Sequence, residues 1–224
     1  VNGHDHHQES DAPRPPAAGD TPHFPWPPAA GESAITAFIE TWTGASLRPR
    51  ESFRRLPDGT IRAALSYYIP LGIAVAGIEL FWMFLLEGLD PEREAVLGEP
   101  AIAGVMHPVV WFLLSPLILL VSLFLAAGAV HALLALFGGA NRPFTVSARV
   151  LAFAYSPQIL SIVPLVGSVA GSAWMVAVAI IGLREAHATT TGRAAAAVLI
   201  PVASVLIFIA IATFVAATGR MPVY

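Results

Sequence analysis

Residues 109–137 read VVWFLLSPLILLVSLFLAAGAVHALLALF, 29 positions without one Asp, Glu, Lys or Arg. A helix rises about 1.5 Å per residue and the hydrocarbon core of a bilayer is about 30 Å thick, so roughly 20 such residues cross it. The stretch is longer than a crossing needs, and it is expected to tilt, to kink at Pro116 or to begin in the interface. It lies inside a charge-free run over residues 100–141, and two more such runs follow, over 150–183 and 194–219. Residues 63–86 are interrupted only by Glu79. Runs this long cannot be packed as the core of a soluble domain of 224 residues. The fold class is therefore all-α, a polytopic membrane protein.

Five spans are predicted, at about 63–86, 109–137, 144–163, 166–183 and 194–217. The third and fourth are short and joined at Pro164-Leu165, so they read as an antiparallel hairpin; the rival reading is a re-entrant pair. Pro70, Pro116, Pro157 and Pro201 each fall in or near a different span, which lipid tolerates where neighbouring helices satisfy the freed carbonyls. Arg48, Arg50, Arg54, Arg55, Arg62, Arg142, Arg149, Arg184 and Arg193 fall on one side of this layout, and only Arg93 and Arg220 on the other. Nine against two is a strong positive-inside bias, placing the N-terminus in the cytoplasm and the C-terminus outside. The acidic loop over residues 87–99 falls outside. An odd number of crossings and the charge bias agree.

Composition narrows the function. Charged residues are 12 % of the chain, against roughly 25 % in an ordinary soluble domain. There is room for one membrane domain and no sizeable soluble enzyme. All 12 basic residues are Arg, which suggests a GC-rich, bacterial genome and a place in the bacterial inner membrane. With no Cys, disulfides, thiolate zinc sites and cysteine nucleophiles are excluded. No metalloprotease helix, P-loop lysine, dinucleotide glycine pattern or nucleophile elbow is present, so no enzyme and no cofactor is expected.

Residues 1–31 hold seven prolines and few aliphatic side chains, so they read as a disordered cytoplasmic tail. They lack the apolar region of a secretory signal. His23-Phe24-Pro25-Trp26-Pro27-Pro28 could be a polyproline-type recognition motif, but a solvated tail is the simpler reading. His4-Asp5-His6-His7 matches no closed metal site.

Residues 32–62 form an Arg-rich juxtamembrane segment. Ile35, Phe38, Ile39 and Trp42 recur at helical spacing, and residues 47–56 add Phe53 and four Arg. This predicts an amphipathic helix lying in the interface, with Trp42, Arg48, Arg50, Phe53, Arg54 and Arg55 as lipid or partner contacts. The alternative is a helix packed on the protein's own face. Anionic headgroups suit so short a basic run beside a span better than nucleic acid does. Inside the spans, Glu79, Ser122, His131 and Gln158 are the polar candidates. A carboxylate in hydrocarbon is costly unless paired, protonated or wet, and Gln158 is a candidate partner for Glu79. Gly167 and Gly171 form a small-residue motif that lets helix backbones approach, within the bundle or between copies.

The phrase at residues 47–56, His131 ahead of Phe137-Gly138-Gly139, Ala154-Tyr155-Ser156-Pro157, Val163-Pro164-Leu165-Val166-Gly167, Trp174, Ile181-Gly182-Leu183, His187 and Arg193-Ala194 occur in an order that resembles the Yip (Ypt-interacting protein) domain family, closest to its bacterial branch. The resemblance covers residue 35 to the C-terminus. It implies five spans and a cytoplasmic N-terminus. Eukaryotic relatives are implicated in Golgi and endoplasmic-reticulum traffic through Rab-type GTPases, but the acidic Gly-Pro motif that precedes their first span is not visible here. For bacterial members the resemblance implies a fold and a membrane location without an agreed activity. The expected function is a non-enzymatic membrane protein that organises or escorts membrane components, through lipids, another membrane protein or a second copy. The alternative is a small channel, transporter or scramblase with a polar track around Glu79.

Overall fold

The computed structural model describes residues 24–87 and 101–218, and all regular structure among them is helical. The order is α1 (Ala34–Leu47), α2 (Pro49–Arg54), α3 (Ile61–Glu87), α4 (Ala101–Leu136), α5 (Phe144–Ala154), a 3-10 segment (Ser156–Ile162), α6 (Val166–Ala186) and α7 (Thr191–Thr218). The predicted 87–99 loop beyond Glu87, the His4–His7 tract and most of the predicted tail lie outside the described residues.

Four helical stretches are long and apolar enough to cross a bilayer: Ile61–Leu86, Pro108–Leu136, Val166–Ala186 and Thr191–Val215. Pro70, Pro116 and Pro201 sit inside their helices without ending them. Pro157 acts differently, and the predicted third span is not one continuous helix. The proline has no N–H, and its ring would clash with the carbonyl four residues back, that of Phe153. The α-helix stops at Ala154, the hydroxyl of Ser156 donates to the Phe153 carbonyl oxygen at 2.6 Å, and the chain continues in 3-10 form. At the far end of that segment the Trp82 indole N–H donates to the Ile162 carbonyl oxygen at 3.1 Å. Trp82 lies near the end of α3, so α5 and the 3-10 segment together run almost the length of α3.

The return is tight. Val166 N–H donates to the Pro164 carbonyl at 2.7 Å, and Leu165 takes a left-handed conformation with φ 64°. α6 then packs back along the 3-10 segment and α5. A methyl on Gly167 would collide with the Leu160 carbonyl, and one on Gly171 would lie 2.8 Å from the Gln158 side-chain oxygen and 3.0 Å from the Pro157 carbonyl. The two glycines therefore seat α6 against the 3-10 segment within the chain. α5 is the hub, touching α1, α3, α4 and α6, and eight of its residues are buried.

The chain ahead of α1 departs from the predicted disorder at its last residues. Phe24 is buried and packs on Phe153 with ring centroids 4.7 Å apart. The Trp26 indole donates to the Ala63 carbonyl at 2.7 Å, and its ring meets Phe38 and Tyr67 edge-on. Pro25, Pro27 and Pro28 restrict the backbone of this short piece, which lowers the entropic cost of docking it by two aromatic anchors.

Candidate functional site

α1 presents two faces. Ser33 caps its start, accepting from the Thr36 N–H at 3.5 Å, and the small residues Ala37, Thr41, Ala45 and Ser46 face the protein. Ile35, Ile39 and Leu47 point away, and are 73 %, 53 % and 70 % exposed. The helix is pinned by two indoles. Trp42 donates to the Ser156 carbonyl at 3.0 Å, and Trp174 of α6 donates to the Ser46 carbonyl at 2.7 Å. Such placement leaves bulky aliphatic side chains outermost with the polar anchors beneath them.

α2 corrects part of the sequence reading. Phe53, predicted to contact lipid or a partner, is fully buried. It enters a slot over Gly182, where an added methyl would lie 3.0 Å from its ring and 2.7 Å from Val150. Leu56 is buried as well. A pattern of alternating apolar and Arg residues cannot say whether the apolar side meets lipid or protein; here the absence of a side chain at Gly182 decides for protein. The four predicted Arg also divide. Arg54 pairs with Glu185 at 3.2 Å, whereas Arg48, Arg50 and Arg55 are exposed and make no side-chain bond or ion pair among the described residues.

The Arg-rich end of the bundle holds a connected polar network. Arg142 donates to the carbonyls of Leu56 at 3.1 Å and Ala186 at 3.3 Å, and it pairs with Asp58. The guanidinium holds the Asp58 carboxyl below its usual range, first by hydrogen bonding and then by charge. Arg149 is buried and donates to the Pro57 carbonyl. Two arginines counted from sequence only as loop charges thus clamp the α2–α3 connection onto α5.

Beside them runs a hydrogen-bonded chain. The backbone N–H of Arg142 donates to His187 Nδ1 at 3.2 Å, so that nitrogen carries no proton. The neutral ring then bears its proton on Nε2, which donates to Ser147 Oγ at 2.9 Å. Ser147 Oγ is also hydrogen-bonded to His131 Nδ1 at 2.9 Å. Burial, then the neighbouring His131 and Arg142, push the His187 pKa down to about 4. His131 came from the sequence as a lone intramembrane polar group; Ser147 was missed. Serine on a helix of small residues gives no signal of its own, and its partners are 16 and 40 positions away. Ser147 lies between two imidazoles like a nucleophile, but it is 0 % exposed and no substrate can reach it.

Glu79 is exposed on α3 and makes no side-chain bond among the described residues. Gln158 turns away from it and donates to Ser172 Oγ at 3.3 Å. Ser122 donates to the Leu119 carbonyl of its own helix at 3.1 Å and also shares a hydrogen bond with Tyr68 of α3, whose ring meets Tyr155 edge-on at 5.0 Å. Among the described residues no group of three His, Cys, Asp or Glu is placed to hold a metal.

Apolar helices of crossing length around a buried polar end define a multi-pass integral membrane protein. The sequence profile described as the Yip1 domain matches residues 44–213, well over half of the chain, and the chain belongs to that family. No curated protein and no solved structure gives a match.

Proposed function

We propose that this protein is a non-enzymatic membrane organiser of Yip type in a bacterial cytoplasmic membrane, crossing it five times. In this reading the N-terminus is cytoplasmic and the C-terminus external. The bond between Trp82 and Ile162 supports the fifth crossing, because it sets the end of the 3-10 segment level with the end of α3. The nine-to-two arginine bias supports the orientation.

One observation carries the functional reading. α1 and α2 hold Ile35, Ile39 and Leu47 outward next to Arg48, Arg50 and Arg55, none of which is used internally among the described residues. Outward aliphatics beside free guanidinium groups are what a bilayer boundary takes up, chains on one side and phosphates on the other. The bundle anchors that element, and its open helix surfaces are available to another membrane protein or a second copy. The protein organises or escorts its neighbours by holding lipids or partners there. The test is the lipid carried with the protein when it is excised from membrane in polymer discs. Anionic lipid should be enriched over bulk around the wild type, and the enrichment lost when Arg48, Arg50, Arg54 and Arg55 become Ala. Identical lipid composition in the two samples would remove this role.

A further inference from the structure

A hollow of about 350 Å³ opens between α1 and α2. Its walls carry Glu40 and Gly44 from α1, and Arg48, Glu51, Ser52 and Arg55 from the following turn. Glu40 and Gly44 lie one turn apart on α1, and Glu51 and Ser52 lie on α2 with Arg48 and Arg55 as the residues that flank it. Gly44 lets the walls meet at the base, since a methyl there would lie 2.8 Å from Ser52 Oγ. Phe24, docked on Phe153, closes one end.

Four of these side chains are charged, two of each sign, and all four are exposed. Among the described residues none makes a side-chain hydrogen bond or ion pair, while neighbouring Arg54 closes on Glu185. Opposite charges that face one hollow without neutralising each other are a template for a ligand carrying both signs. We propose that this groove binds the phosphoethanolamine headgroup of a membrane lipid, with Arg48 and Arg55 on the phosphate and Glu40 and Glu51 on the primary ammonium. The proposal rests on the reading above that these arginines hold lipid phosphates, and it narrows it: Arg48 and Arg55, which share the groove with two carboxylates, take a zwitterionic headgroup, and the anionic enrichment is left to the arginines outside the groove. A purely anionic headgroup would meet two carboxylates. A quaternary ammonium lacks N–H donors and is held by aromatic cages, and the single ring here, Phe24, is itself buried. A primary ammonium supplies three donors to carboxylate acceptors. The volume falls in the range of small-ligand clefts, about 300–1,000 Å³.

The acyl chains have a place to go. Leu47, on the groove wall, is among the outward aliphatics of α1. Across the same helix a second hollow, about 190 Å³, is lined wholly by Phe38, Ile39, Trp42, Leu71 and Ile159. A lipid whose head lies in the first groove can lay a chain over Leu47 and Ile39 toward the second.

The experiment is native mass spectrometry of the full chain from detergent micelles with equal amounts of dioleoyl phosphatidylethanolamine, phosphatidylcholine and phosphatidylglycerol. The wild type should retain the ethanolamine lipid about tenfold over the other two, the difference expected from about 1.4 kcal/mol. Glu40→Gln with Glu51→Gln should retain the ethanolamine and choline lipids equally. Arg48→Ala with Arg55→Ala should lose the preference and most retention, and Arg62→Ala, exposed on α3 and outside the groove, should change neither. Unfolding midpoints should match the wild type throughout. Equal retention of ethanolamine and choline lipids by the wild type overturns the assignment, as does a preference for phosphatidylglycerol. Tighter retention of free phosphoethanolamine than of the lipid overturns the lipid source. If headgroup selectivity holds while anionic enrichment in discs fails, the organiser reading alone falls; the reverse pattern sinks only the groove.

Discussion

The two ends of the bundle are built by different rules. At the end holding Arg142, Arg149 and His187, large side chains from four helices disappear from the surface, and Phe53, Leu134, Val146, Phe153 and Leu183 are each at most 1 % exposed. At the other end Phe81, Leu86, Leu113, Leu117, Leu206, Phe208 and Phe214 are 45–71 % exposed. Leu206, Phe208, Ile211 and Phe214 point in several directions around α7, so that stretch touches little of its own chain. In water such a surface would be untenable. In hydrocarbon, helices gain nothing by hiding Leu from lipid, and they associate only where small residues, polar bonds or shape favour it. The arginine end has all three: Gly182 under Phe53, the serine between two histidines, and two clamped guanidinium groups.

The sharpest way to break the contrast is to make one substitution at each end. Phe53→Ala should lower the unfolding free energy in detergent by about 3–5 kcal/mol, because it empties a closed slot. A loss under about 1 kcal/mol would show the slot is not closed.

The second effect is on pH. The folded protein holds His187 neutral with a pKa near 4, below the ordinary value of 6.5, so the unfolded chain takes up the proton first as pH falls. Stability should be full above about pH 6.5 and decline through the interval down to about 4, by up to about 3 kcal/mol. Asp58, also depressed, adds to the loss below about pH 4. Ser147→Ala should flatten the His187 portion by removing the acceptor that holds its tautomer. An unchanged slope would detach the slope from this network.

Gly182→Ala should cost about 1–3 kcal/mol by overpacking against Val150 and Phe53, read in the same unfolding experiment. The smallest effects belong to the open end. Phe208→Ala and Glu79→Gln should each stay within about 0.5 kcal/mol, because Phe208 is 71 % exposed and Glu79 makes no side-chain hydrogen bond or ion pair among the described residues. A cost near that of Phe53→Ala would reveal a covering partner.

The open end was legible from sequence because its physics is local: a run of apolar residues longer than a bilayer announces a span without reference to anything else. The packed end was not. Phe53 and Trp42 carry the same amphipathic signature, yet one is buried over Gly182 and the other donates to Ser156, 114 positions away. Arg149 counts as a loop charge in any positive-inside reckoning, and its burial depends on a carbonyl 92 residues earlier. Trp26 sits in a composition that reads as disorder, and one indole bond docks it. The predicted third span shows the boundary between the two cases. Pro157 was visible as a break, but where the broken strand of helix ends is fixed by Trp82, 80 residues away.

The contrast between the ends meets its most direct test in spin-label accessibility along α7, made simple because the chain has no Cys to remove. Single labels at Leu206, Phe208, Ile211 and Phe214, in reconstituted bilayers, should all collide readily with dissolved oxygen and little with a water-soluble nickel chelate. Labels at Val146 and Leu183 should be shielded from both. Oxygen access that rises and falls with a helical period along α7, or nickel access there, would contradict a lipid-solvated end.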